Sequence, residues 1–125
     1  MKSQEVNRSA MVVMAKQPFL KWLISVDPSN RDLTLDEVND EPPVYLVPEC
    51  ESDEEFEEWL EKNFELIFQE QLGGWWTDEE SWPKNRMFEL FRKWFDCRLY
   101  SLVLDLGNKP LKTSSGGLND ASIIG

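Results

Sequence analysis

Between Gly73 and Trp82 the chain sets Trp75, Trp76 and Trp82 beside Asp78, Glu79 and Glu80. Indole faces next to carboxylates can wall and anchor a pocket for a sugar, an amine or a cation. The same letters also describe a joint between two helices. Gly73-Gly74 can end one helix, and Thr77 with Glu80 has capping-box spacing for the next. The joint explains more of these residues, so the small-ligand pocket stands as the alternative reading.

The second constellation is a run of acids. Residues 41–80 hold fourteen acids and one base, Lys62, whereas residues 1–40 are nearly balanced and residues 81–125 carry a net +3. Most of the acids fall in Ser52–Leu72. There Phe56, Trp59, Leu60, Phe64, Ile67 and Phe68 recur at spacings of three and four, while Glu54, Glu57, Glu58, Glu61 and Glu65 take the other side. Like charges four residues apart each cost about 0.2–0.5 kcal/mol, partly relieved by Glu58 with Lys62. The helix dipole favours Asp53, Glu54 and Glu55, but its effect fades within one turn. The remaining glutamates either keep an aromatic-rich protein soluble or form a docking face for a basic protein. We take the docking face as the leading functional expectation.

Other chemistries find less support. The chain has no histidine, which removes Ser-His-Asp and Cys-His nucleophiles. Only Cys50 and Cys97 could serve as soft ligands, too few for a four-ligand N/S zinc site. Two distant cysteines fit reduced thiols in the cytoplasm better than a disulfide framework. Carboxylates lie close together by abundance alone, without a nucleophile elbow or phosphate loop. No catalytic residue, metal or cofactor is therefore assigned. A net charge of −11 repels nucleic acid and anionic membranes, and no apolar run approaches a membrane span.

These residues need a scaffold. Pro18–Val26 alternates, with Leu20, Trp22, Ile24 and Val26 on one face, which predicts a strand. Residues 31–43 read as a loop, and Val44–Val47 as a second strand closed by Pro48. Ser52 with Glu55 caps the acidic helix, which Gly73 ends. A second helix is predicted over Pro83–Phe95, with Pro83 in its first turn. Arg98–Leu106 returns to period two and gives a third strand. The expected fold is α+β: a small, mainly antiparallel sheet of about three strands, covered on one side by two helices, in the order β-β-α-α-β. Residues 1–15 read as a flexible leader, 16–107 as one compact domain and 108–125 as a flexible tail.

The segments Val44-Tyr45-Leu46-Val47-Pro48-Glu49, Gly74-Trp75-Trp76-Thr77-Asp78-Glu79, Trp82-Pro83-Lys84-Asn85-Arg86 and Trp94-Phe95-Asp96 resemble a family of short uncharacterised bacterial proteins. The resemblance covers roughly residues 18–106. It implies a bacterial cytosolic single domain and no activity. The expectations are thus an acidic interaction module for a basic partner or a ligand site at the tryptophan corner. A further expectation is a homodimer through an uncovered sheet face bearing Phe19, Leu23, Leu99 and Val103.

Overall fold

The computed structural model describes residues 4–114. Its strands and helices are β1 (Gln4–Glu5), β2 (Arg8–Ala15), α1 (Gln17–Val26), α2 (Leu35–Val38), β3 (Val44–Pro48), α3 (Asp53–Trp75), α4 (Phe88–Trp94), β4 (Phe95–Tyr100) and β5 (Leu104–Asp105). The three-stranded sheet has the order β3-β2-β4 and both pairings are antiparallel, while β1 and β5 form a separate two-stranded ladder. The α+β class is the expected one.

The centre of the sheet corrects the sequence reading. Arg8–Ala15, expected to be leader, is the middle strand, with Ser9, Met11, Val13 and Ala15 buried on one face. Residues 1–3 of that leader lie outside the described residues. Conversely, Pro18–Val26 is not a strand but most of α1. Its apolar residues also fit a helical period: Phe19, Leu20 and Leu23 are buried, and Trp22 and Val26 pack against the core. Pro18 sits in the first turn, where its missing amide costs nothing. A nine-residue apolar run satisfies both periods, and the tertiary contacts decide between them.

Helix α3 starts at Ser52, whose hydroxyl accepts the Glu55 amide, and runs past Gly73 to Trp75. The second expected helix is shorter than Pro83–Phe95. The Arg86 guanidinium donates to the Pro83 carbonyl at 2.8 Å, where a helical amide would otherwise bond, and α4 begins only at Phe88. The third expected strand divides: β4 ends at Tyr100, and Leu104–Asp105 pairs with β1. Of the expected tail, residues 108–114 are mostly exposed, and 115–125 lie outside the described residues.

Helices α1, α3 and α4 cover the inner face of the sheet, one helix more than expected. Phe19, Phe68, Phe91 and Phe95 form the centre of the core, with Phe68 edge-on to Phe95 at 5.6 Å between ring centres. Phe19 and Phe91 each lie 5.3 Å from Phe95. Edge-to-face and tilted pairs add about 0.5–1.5 kcal/mol each beyond area burial. Phe19 and Leu23, assigned to an open dimer face, are instead fully buried. Leu99 lies opposite Met11 and packs with the core. The outer face of the sheet carries Ala10, Val12, Met14, Val44, Leu46 and Tyr100.

Candidate functional site

The tryptophan corner is built as a joint. Trp82 is 8 % exposed, and its indole N–H donates to the Trp76 carbonyl at 2.7 Å. The Trp22 indole of α1 donates to the Ser81 carbonyl at 3.0 Å, so the corner also clasps α1. Asp78 takes the role expected of Thr77: its carboxylate accepts from the Glu80 amide and the Ser81 hydroxyl at the start of a short 3-10 turn. Glu79 and Glu80 face solvent, and Trp75 is exposed. The clefts described below are lined by residues other than these three tryptophans.

The acidic ridge is divided by the structure. Glu65 pairs with Arg86 at 2.7 Å and Glu57 pairs with Arg92, so both clamp α3 to the α4 side. Arg86 also lies over the Trp82 ring, and Arg92 over Phe88, each 5.8 Å from the ring centre. Glu54, Glu58 and Glu61 are exposed and, among the described residues, make no ion pair. The relief expected from Lys62 beside Glu58 does not take the form of an ion pair.

Two features escaped the sequence reading. At the start of α3, Glu5, Glu49, Glu51 and Glu55 line a cleft of about 370 Å³ above buried Ser9. Glu55 accepts the Glu51 amide at 3.2 Å, which holds the turn into the helix. The only signal for Glu5 would have been its pairing with Leu104, which lies 99 positions away in sequence. Between β3 and α3 runs a second, apolar groove, whose rim carries Leu66 at 73 % exposure. Its signal was available: Leu66 is apolar yet lies off the buried stripe of α3.

The cysteines are both free. Burial pushes the Cys97 thiol up to about 12, despite the nearby Arg92 guanidinium, and burial followed by Glu55 raises Cys50. Neither is an activated nucleophile. Among the described residues, no three ligating side chains gather as a metal site, and no helix is long and apolar enough to cross a membrane. Comparisons of the chain with protein-family models, with curated proteins and with solved structures return no match.

Proposed function

We propose that this protein is an acidic interaction module that binds a basic protein partner through α3. The observation that carries the reading is the uncompensated charge on Glu54, Glu58 and Glu61. Their neighbours Glu57 and Glu65 are paired with Arg92 of α4 and with Arg86 just ahead of it, and the docking face is narrowed to the three that remain. Glu55, Glu51 and Glu49 extend the same negative potential around the start of the helix. Such a field speeds encounter with a cationic surface and weakens as salt rises. It also disfavours nucleic acid. Two free thiols support a reducing, cytoplasmic setting.

The test is affinity capture with the native chain and with Glu54, Glu58 and Glu61 all changed to Gln, at low and at high salt. Partners rich in Lys and Arg should be retained by the native chain at low salt only and lost by the variant. Recovery of the same partners by both proteins would remove the ridge from consideration.

A further inference from the structure

Strand β3 pairs with β2 on one side, and among the described residues no strand pairs with its other edge. An unpaired edge offers a row of backbone donors and acceptors to another chain. Here the free edge does not stand alone. Beside it runs the groove of about 420 Å³ against α3, lined by Tyr45, Val47, Trp59, Leu66, Ile67 and Glu70. Gln71 donates to the Tyr45 hydroxyl at 2.9 Å, which fixes the spacing of strand and helix. Backbone edge, apolar slot and adjoining helix are the three parts of a site that binds an extended peptide by strand addition.

Both walls of the groove come from the acidic block of residues 41–80, whose only base is Lys62. Glu70 lines the groove itself, and Glu41 and Glu49 lie just beyond the two ends of β3. That charge decides among occupants. Antiparallel pairing of two copies about Leu46 would set Glu41 of one beside the Glu49–Glu51 segment of the other, like against like. The chain's own residues 115–125 carry no base and one acid, Asp120, so they do not complement the groove either. A cationic partner does. Pro42, Pro43 and Pro48 lack amide donors and confine the ladder to Val44–Val47, a length that suits four or five residues of a peptide.

We propose that the groove between β3 and α3 takes an extended segment of the basic partner as an additional strand, with an apolar side chain seated among Trp59, Leu66 and Ile67. The basic character of the partner rests on the reading of the preceding section. The surface is a different one, because the groove and the Glu54/Glu58/Glu61 ridge lie on opposite flanks of α3.

The experiment is an NMR titration of the full chain with a nine-residue peptide in which lysine alternates with valine or leucine. The Val44–Val47 amides and the Trp59 indole should shift. Leu66→Ser, at an exposed position that leaves the core intact, should weaken binding about tenfold, as should N-methylation of alternate peptide amides. Equal binding by the N-methylated peptide, shifts confined to the ridge, or no shift at millimolar peptide would overturn the proposal. A dimer in light scattering that Leu66→Ser dissolves would make a second copy the occupant and overturn it as well. So would tighter peptide binding after removal of residues 115–125, which would make that tail the occupant. If the Glu54, Glu58 and Glu61→Gln variant binds the peptide normally while Leu66→Ser does not, the groove stands and the ridge falls. The opposite pattern keeps the ridge and discards the groove.

Discussion

The side-chain amide of Asn39 closes on the backbone of Ala15 with both its ends: Oδ1 accepts the Ala15 N–H at 2.8 Å and Nδ2 donates to the Ala15 carbonyl at 3.0 Å. Strand β3 pairs with β2 only as far as Val12, so the last residues of β2 lack a neighbour on that side. Asn39 supplies one, as a one-residue substitute for a strand. Asn39→Ala should lower stability by about 1–3 kcal/mol, because it leaves two part-buried backbone groups unpaired. A fall in the urea midpoint at unchanged slope is the expected readout. A variant as stable as the native chain would show that water replaces the amide without loss.

The two clamps between α3 and the α4 side should differ in strength. Arg86 is 20 % exposed and holds Glu65, the Pro83 carbonyl and the Trp82 face together, whereas Arg92 and Glu57 are each nearly half exposed. Screened pairs contribute about 0–1 kcal/mol. Arg86→Ala should therefore cost about 1–2 kcal/mol, and Arg92→Ala less than about 1 kcal/mol. Double-mutant cycles with Glu65→Gln and Glu57→Gln measure the coupling directly. A stronger Arg92 coupling would contradict the burial argument.

Gly74 lies inside α3 with open space where a side chain would begin. Alanine there loses less backbone entropy on folding. Gly74→Ala should add about 0.5–1 kcal/mol and raise the thermal midpoint by a few degrees. Gly73→Ala meets the Trp82 indole at 3.5 Å, an ordinary contact, and should gain no more than Gly74→Ala. Loss of stability at Gly74 would imply that the last turn is not helical in solution.

The buried Cys97 thiol makes stability depend on pH at the alkaline end. Its folded-state value is raised to about 12 from an ordinary value of 9.0. The fold therefore favours the protonated form. That contribution is complete below about pH 9 and is lost as pH rises toward 12. Cys97→Ala should flatten this alkaline loss. A thiol reagent near pH 8 should modify Cys50 well before Cys97 in the native chain. Equal rates would mean that the pocket around Cys97 opens readily.

How much of this was legible depended on how local each signal was. Helix α3 was readable because its cap at Ser52 and its apolar stripe both lie within its own sequence. Strand β3 was readable from a short apolar run between prolines. The pair β2 and α1 was not, because Ala10–Ala15 and Pro18–Val26 are both short apolar runs and only the partners of each settle the period. The length of α4 turned on Arg86, whose bonds to Glu65 and the Pro83 carbonyl hold the chain out of the helix. The division of the glutamate ridge turned on the same arginine and on Arg92. The groove was hidden for a further reason: which strand is left at an edge is a property of the sheet order, and no single segment carries it.

The position of Arg8–Ala15 in the middle of the sheet has a consequence for how the chain is made. During synthesis this segment emerges well before β4, its more extensive partner, which is complete only at Tyr100. At about 5–20 residues per second, the interval is roughly 4–17 seconds. Throughout it, the alternating face of Met11, Val13 and Ala15 has no finished layer to rest against. The pairing of β2 with β4 therefore joins the earlier of two segments to one made much later, and the buried face of the sheet is covered only then.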